Sequence, residues 1–105
     1  MKNSIKRKKG KILRHLNQGR GLSGIKALRI YNVYRLSSTI QRLRSEGHDI
    51  ATVERKTKNS EMYAEYFKRD RRFLAKIEKR IQKGTVIFEV NAMSNYVFFT
   101  YRYVK

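Results

Sequence analysis

A run of arginine, serine and glutamine side chains lies on one side of a predicted helix between Tyr34 and Glu46. Leu36, Ile40 and Leu43 have the i, i+4, i+7 spacing of a helix that is apolar on one side. At about 100° per residue, the opposite side has no acidic member and consists of Tyr34, Arg35, Ser38, Gln41, Arg42 and Ser45. In the DNA major groove, Arg pairs with guanine, Gln with adenine, and Ser with either. We therefore predict base contacts from Arg35, Ser38, Gln41, Arg42 and Ser45.

The overall charge favours a polyanionic partner. The 105 residues include 26 Lys and Arg against 8 Asp and Glu, which gives a formal net charge of +18. Self-repulsion at this density is hard to explain without such a partner, and the candidates are DNA, RNA, an anionic membrane surface or an acidic protein. With 40% hydrophobic and 11% aromatic residues, the composition is that of one folded domain rather than of a disordered chain.

Several other function classes have little support in the sequence. The chain has no Cys for disulfides or thiolate metal sites, and His15 and His48 are isolated. Gly19, Gly21 and Gly24 lack the Lys-Ser/Thr ending of a nucleotide-binding loop. No apolar run approaches the ~20 residues of a membrane span, and no signal-peptide pattern is present. We predict a cytoplasmic protein with no membrane partner, no catalytic residues, no metal and no other cofactor.

The first half of the chain is predicted to form three short helices and a strand. A basic arm precedes the first helix, whose apolar stripe is Ile12, Leu13 and Leu16. Ser23 is placed to cap the N-terminus of the second helix. Asn32 tolerates the left-handed conformation that ends it. The third helix, residues 34–46, stops at Gly47, and residues 49–57 favour a strand.

The second half is predicted to be a long helix followed by a hairpin. Residues 61–83 show a 3.6-residue apolar repeat, interrupted by Asp70, which either bends the helix or pairs with a nearby Arg. The Lys and Arg residues of this segment indicate either a solvated face or a phosphate-binding ridge. Residues 85–90 and 96–104 are rich in strand formers and predict a hairpin whose aromatic face the helix covers. The alternative for these aromatic rings is stacking on single-stranded bases.

The stretch KILRHLNQGRGLSGIKALRIYNVYRLSSTIQRLRSEGHDIATV, about residues 11–54, resembles a family of small winged helix-turn-helix proteins of phages and prophages. The shared positions are Ser23, Ala27, Leu28, Tyr31, Asn32, Arg35, Leu36, Ile40, Leu43, Arg44 and Gly47, with Asn32 in place of the usual glycine. The resemblance implies that the third helix enters the major groove and that a wing touches the DNA backbone. Beyond Val53 the family closes with one strand, whereas a helix is predicted here.

We therefore predict a single α+β domain over residues 1–105, a winged helix-turn-helix with an inserted long helix and a C-terminal antiparallel β-hairpin. Its parts are a basic arm (1–10), the helix-turn-helix core with the first wing strand (11–57), and the additional helix and hairpin (58–105). Phosphate contacts are expected from Lys6, Arg7, Lys8, Lys9, Ser23, Lys26, Arg55, Lys56 and Lys58.

The predicted function is sequence-specific binding of double-stranded DNA in the bacterial cytoplasm or nucleoid. The protein would be a phage-encoded transcriptional regulator or an accessory factor in DNA transactions. A helix-turn-helix monomer reads few base pairs, so specific binding would favour a homodimer. The alternative is a phage-encoded inhibitor or adaptor that binds a host nucleic-acid-processing protein, for example as an anti-defence protein.

Overall fold

The computed structural model describes the backbone of residues 2–104 and the side chains of residues 7–104. Within this part, the elements follow in the order α1 (Lys2–Asn17), β1 (Leu22–Ser23), α2 (Gly24–Tyr31), α3 (Leu36–Ser45), β2 (Ile50–Lys56), β3 (Met62–Lys68), α4 (Arg71–Gln82), β4 (Val86–Ala92) and β5 (Val97–Tyr103). The strands form one sheet in the order β1-β3-β2-β5-β4, in which only β2 and β5 are parallel neighbours. No helix in the described residues combines the length and apolar character needed to cross a membrane.

The sheet has helices on both faces, and each face has its own core. Successive side chains of a strand point to opposite faces. Accordingly, Ile50 joins the core under α1, α2 and α3, while Ala51 and Val53 join the core under α4. The first core contains Ile12, Leu16, Leu22, Ala27, Val33, Leu36, Ile40, Leu43 and Ile50. The second contains Ala51, Val53, Phe73, Ile77, Val86 and Tyr101. This three-layer arrangement places the helix-turn-helix and α4 on opposite sides of the sheet.

The local signals that were expected to delimit α2 and α3 are present. The Ser23 side chain accepts a hydrogen bond from the Lys26 N–H (3.3 Å), which confirms the N-cap of α2. Asn32 has φ 57° and ψ 39°, so the left-handed turn between α2 and α3 is confirmed. The left-handed Gly47, with φ 99°, follows α3. However, α3 begins at Leu36 rather than at Tyr34, which leaves Arg35 at its N-cap position.

The basic arm predicted for residues 1–10 is wrong, because α1 begins at Lys2 and continues through Gly10. A glycine inside a helix costs about 1 kcal/mol relative to alanine, which tertiary contacts readily offset. Here the Lys8 Nζ donates to the Asn32 carbonyl oxygen (3.0 Å), and the Lys9 Nζ pairs with the Glu46 carboxylate (2.5 Å). Lys8 and Lys9 of the basic segment therefore bind the turn and the end of α3.

The long helix predicted for residues 61–83 is wrong in its first third. Met62–Lys68 forms β3 and pairs with the whole of β2, from Ile50↔Lys68 to Lys56↔Met62. The aromatic residues of this segment fit helical spacing, but they are also strong strand formers. Both faces of β3 contain half-buried side chains, so the alternation that marks a strand with one solvated face is missing. The division at residue 58 is corrected too, because β3 completes the wing.

Asp70 separates β3 from α4 and begins the new helix. Its side chain accepts from the Phe73 N–H (3.0 Å) and pairs with Arg72 (3.0 Å). These contacts hold the pKa of Asp70 below its ordinary value, the backbone N–H having the larger effect. The alternative in which Asp70 pairs with an Arg is thus confirmed. Arg72 also donates to the Asn17 carbonyl oxygen (3.0 Å), so α4 is tied to the end of α1.

The C-terminal antiparallel hairpin is confirmed by the pairing of β4 with β5 along its full length. The Phe73 and Tyr101 rings meet edge to face, with their centroids 5.2 Å apart. Tyr101 is buried in the core under α4. The prediction that a helix covers the aromatic face therefore holds for the part of the hairpin around Tyr101.

His15 of α1 is a buried side chain whose hydrogen bonds link α1 to α2 and to the residue before β1. Only 2% of it is exposed, and it lies within hydrogen-bonding distance of the Tyr31 hydroxyl (Nδ1, 2.7 Å) and the Gly21 carbonyl oxygen (Nε2, 3.0 Å). Because a carbonyl oxygen only accepts, Nε2 holds the proton and Nδ1 accepts from Tyr31. Burial lowers the pKa of His15 below its ordinary value of 6.5.

Acidification should therefore destabilise the fold before the carboxylates titrate. Since the folded pKa of His15 lies below the unfolded one, the unfolded state binds the proton first as pH falls. We expect Tm to be constant well above the ordinary pKa of 6.5 and to fall as the pH drops through that value. His15→Gln, whose amide can still donate to the Gly21 carbonyl oxygen, should flatten this part of the profile in scanning calorimetry. Identical profiles for the two proteins would contradict the role of His15.

Candidate nucleic-acid interface

The predicted base-contacting side chains of α3 lie on its exposed side. Leu36, Ile40 and Leu43 are buried in the first core, so the stripe that contains Ser38, Gln41 and Arg42 faces away from it. A recess of about 310 Å³ is lined by Lys8, Lys9, Asn32, Val33, Tyr34, Arg35, Ser38, Thr39 and Arg42. The fold thus brings three of the five predicted base contacts together with two of the predicted phosphate contacts.

Gln41 and Ser45 complete the exposed side, but the Ser45 hydroxyl is already engaged. Its Oγ donates to the Arg42 carbonyl oxygen at 2.7 Å, one turn earlier in α3. With its proton used in this way, Ser45 can only accept a hydrogen bond from a base. Gln41 is exposed, and its amide offers both donors and an acceptor.

A larger cleft of about 770 Å³ separates the starts of α2 and α3 from the wing, which is the hairpin β2–β3. Its lining residues are Ser23, Gly24, Ile25, Tyr34, Arg35, Leu36, Ser37, Thr57, Glu61, Met62, Tyr63, Ala64 and Tyr66. Helix N-termini carry partial positive charge and unpaired N–H groups, so they favour a phosphate nearby. Ser23 accepts from Lys26 as the cap of α2, which leaves its hydroxyl proton to donate outward. The cleft has the chemistry of a phosphate path along one side of α3.

The tip of the wing is ordered by Thr57. Its hydroxyl accepts from the N–H groups of Asn59 (3.3 Å) and Glu61 (3.1 Å), and its own N–H donates to the Glu61 carbonyl oxygen (2.9 Å). Lys56 and Lys58 flank Thr57, and both are exposed. The loop therefore holds two predicted phosphate contacts at the end of a defined hairpin.

The structure separates Arg55 from the other predicted phosphate contacts of the wing. Adjacent strand residues point to opposite faces, which places Arg55 on the α4 side and Lys56 on the side of the helix-turn-helix. The Arg55 Nε lies 2.8 Å from a Glu65 carboxylate oxygen, and its guanidinium carbon lies 5.2 Å from the Tyr103 ring centroid. Arg55 belongs to a second basic groove of about 770 Å³, whose cations are Arg55, Lys76, Lys79, Arg80 and Lys83.

The remaining predicted phosphate contacts differ in how available their charges are. Arg7 and Lys26 are exposed, whereas Lys9 is paired with Glu46 and holds the pKa of that carboxyl below its ordinary value. The side chain of Lys6 lies outside the described residues. Lys8 donates to a carbonyl oxygen and not to a carboxylate, so its charge is not neutralised. Arg7, Lys8 and Lys26 are therefore the cations of the helical layer that remain available to phosphates.

Arg44 positions α3 on the sheet, and sequence reasoning did not assign it a role. It is buried, with 6% exposed, and its guanidinium donates twice to the Ile50 carbonyl oxygen (3.0 and 2.7 Å) and once to the Thr52 hydroxyl (2.8 Å). The guanidinium carbon lies 3.8 Å from the Phe98 ring centroid. Burial lowers the pKa of Arg44, although an arginine in a protein stays protonated. Its position beside Leu43, off the exposed stripe of α3, was the available sequence signal.

Arg69 makes similar contacts on the opposite face of the sheet, the one that α4 covers. It pairs with Asp49 (3.1 Å), donates to the Tyr101 hydroxyl (3.1 Å) and stacks on the Phe99 ring at 3.8 Å from its centroid. These contacts join the start of β2 and the end of β3 to β5. The base of the wing is thereby fixed to the centre of the sheet.

Comparison with protein families matches residues 7–70 to a family described as a winged helix-turn-helix domain. The match begins inside α1 and ends after β3, so it includes both strands of the wing and extends beyond residues 11–54. No curated protein and no solved structure matches the chain.

Removal of the Arg44 contacts should destabilise the attachment of α3. Lysine cannot reproduce the planar fork that bonds Ile50 and Thr52 together, nor its stacking on Phe98. We expect Arg44→Lys to reduce the free energy of unfolding in urea by about 1–3 kcal/mol. The control Arg42→Lys, exposed on the same helix, should change it by less than about 0.5 kcal/mol. Equal effects of the two substitutions would show that the buried contacts do not hold α3.

Proposed function

The chain belongs to the family of winged helix-turn-helix domains, which indicates DNA as its partner, and from this premise we propose sequence-specific binding of double-stranded DNA. The supporting observation is the exposed side of α3, where Arg35, Ser38, Gln41 and Arg42 form a surface without an acid. This surface lies between the docked basic segment of α1 and the cleft beside the wing. A helix with this polar side fits the major groove.

In the proposed mechanism, Gln41 and Arg42 read base edges near the middle of α3. Each bidentate pairing with the correct base is worth about 1–3 kcal/mol of discrimination. Arg35 and Ser38 lie one or two turns earlier on the same side and contact neighbouring bases or the phosphates next to them. Arg44 holds this helix at a fixed angle to the wing, so its contribution to recognition is positioning.

Phosphate binding surrounds the recognition helix in this proposal. Lys8 and Lys26 lie on the helical layer, and Lys56 and Lys58 lie on the wing. Between the two, the starts of α2 and α3 direct their partial positive charges into the cleft. With six to ten phosphate contacts, affinity should fall by about 10³- to 10⁵-fold between low and moderate salt.

The biological role that we propose is that of a regulator of transcription or an accessory factor in DNA transactions, encoded by a phage. Support for the phage origin is the resemblance of residues 11–54 to phage and prophage proteins. The protein would act in the bacterial cytoplasm or nucleoid and would bind DNA without catalysing a reaction.

The apolar part of the cleft favours a second candidate function, that of an inhibitor or adaptor bound to a host nucleic-acid-processing protein. Ile25, Tyr34 and Met62 are exposed around it, and an exposed apolar patch often marks a protein interface. A partner captured from a nuclease-treated bacterial lysate, and lost with Ile25→Glu, would support this function. Capture that is unaffected by Ile25→Glu would argue against the cleft as its site.

Sequence preference should depend on the middle of α3. After selection of bound sequences from a random duplex pool, we expect Gln41→Ala/Arg42→Ala to reduce the preference for the selected duplex over a scrambled one by about tenfold or more. Most non-specific affinity should remain. The control Gln82→Ala/Lys79→Ala removes one amide and one cation from exposed positions of α4 and should keep the preference. Failure to enrich any sequence, or an unchanged preference in the α3 variant, would contradict the proposal.

The wing should contribute affinity without sequence preference. Each phosphate contact that is removed lowers the slope of log K against log salt by about 0.9, so Lys56→Ala/Lys58→Ala should lower it by about 2. The loss should be the same for selected and scrambled duplexes in fluorescence anisotropy titrations. Lys76→Ala/Lys83→Ala removes two charges from the groove beside α4 and should leave the slope unchanged. If Lys76→Ala/Lys83→Ala lowered the salt slope more than Lys56→Ala/Lys58→Ala did, the duplex would bind on the α4 side instead.

A further inference from the structure

The C-terminal hairpin is electrically neutral in a chain of net charge +18. Between residues 85 and 104 the only ionised side chains are Glu89 and Arg102, so this segment contributes nothing to the net charge. The two are also close to each other, since an Arg102 nitrogen lies 3.7 Å from the Glu89 carboxylate. Arg102 is further paired with Glu54 at 2.7 Å. This is a surface that a second, equally basic molecule can approach without strong repulsion.

The same hairpin exposes apolar side chains along an open sheet edge. Within the described residues, β4 is the last strand of the sheet and pairs with β5 alone. Ile87, Phe88 and Val90 are each at least half exposed. Natural edge strands are commonly protected by Lys, Pro or a bulge, whereas Val86–Ala92 contains neither Lys nor Pro and pairs with β5 in continuous register.

We propose that β4 is a homodimer interface, in which it pairs antiparallel with β4 of a second copy of this chain. The pairing joins two five-stranded sheets into one of ten strands and satisfies the outward-facing backbone groups of both edges. The one cation of this neutral hairpin, Arg102, is already paired with carboxylates, so the hairpin offers little to nucleic-acid phosphates, and an acidic protein would be drawn to the basic surfaces elsewhere. The edge of this neutral hairpin therefore fits another copy of itself best.

Charge selects the register of this pairing. Centred on Glu89, a two-fold arrangement would place the two Glu89 carboxylates directly opposite each other, which is unfavourable. Centred on Val90, it places Glu89 opposite Asn91 of the second copy, and Phe88 opposite Ala92. In that register each carboxylate faces an amide. The Phe88 and Val90 side chains of both copies then lie together on one face of the sheet. Of these two registers, the one centred on Val90 is accordingly favoured.

The symmetry of this dimer has a consequence for the two helix-turn-helix units. Antiparallel pairing about a two-fold axis perpendicular to the sheet keeps equivalent faces on the same side. Both copies of α1, α2 and α3 then lie on one face of the ten-stranded sheet, and both copies of α4 lie on the other. The dimer presents two recognition helices in one direction, as binding to a two-fold DNA site requires.

The oligomeric state of the full chain tests the proposal without DNA, so its outcome is independent of the proposed function. Sedimentation at high salt, which removes bound nucleic acid, should show a concentration-dependent dimer. Val90→Lys adds the charge that natural edge strands use and should yield a folded monomer whose Tm does not depend on protein concentration. Val104→Lys, an equally drastic change at an exposed valine beyond β5, should remain dimeric. A wild-type chain that stays monomeric at about 100 µM, or a Val90→Lys variant that still dimerises, would overturn the proposal.

The register can be tested by oxidation of single-cysteine variants, because the natural chain has no Cys. Val90→Cys lies at the proposed two-fold axis and should form a disulfide-linked dimer rapidly under mild oxidation. Ala75→Cys, exposed on α4, should remain mainly monomeric under the same conditions. Cross-linking of the two variants at equal rates would overturn pairing through β4, because it would reflect random collision.

Discussion

The orientation of α3 depends on one buried guanidinium. Arg44 extends from the inner side of α3 to the Ile50 carbonyl oxygen and the Thr52 hydroxyl, and it stacks on Phe98 of β5. A buried charge is costly unless it is fully hydrogen-bonded, and here a backbone carbonyl, a hydroxyl and an aromatic ring take the place of a carboxylate. Because these groups belong to β2 and β5, the helix that would read bases is fixed to the strand that supports the wing.

A sheet covered on both faces separates the two kinds of surface in this protein. On one face, the helix-turn-helix and the wing carry exposed cations around a polar helix side. On the other, α4 closes a second core, and Arg72 at its start ties it to the end of α1. At the edge of the sheet, β4 exposes apolar side chains, and the hairpin of β4 and β5 has no net charge. Electrostatic repulsion between two basic copies would be lowest there, which supports the interface that we propose at that edge.

Sequence reasoning succeeded where short-range interactions decide the structure. The cap at Ser23, the left-handed Asn32 and the stop at Gly47 depend on side chains and backbone angles within a few residues, and all three are present. It failed for Met62–Lys68, because spacing that fits an amphipathic helix also fits a strand with both faces partly buried. Only pairing with β2 distinguishes the two structures. The N-terminal segment failed for a related reason, since its order comes from Lys8 and Lys9 contacts with distant residues.

The sequence by itself determined the charge of the molecule, the apolar and polar sides of α3, and the turn that precedes it, because composition and periodicity encode these directly. The tertiary structure decided which charges act together. It placed Lys8 beside Arg35, Ser38 and Arg42. It put Arg55 and Lys56 on opposite faces of the sheet, and it buried Arg44. Strand pairing and long-range hydrogen bonds set these positions, and they join residues whose separation along the chain leaves no local pattern.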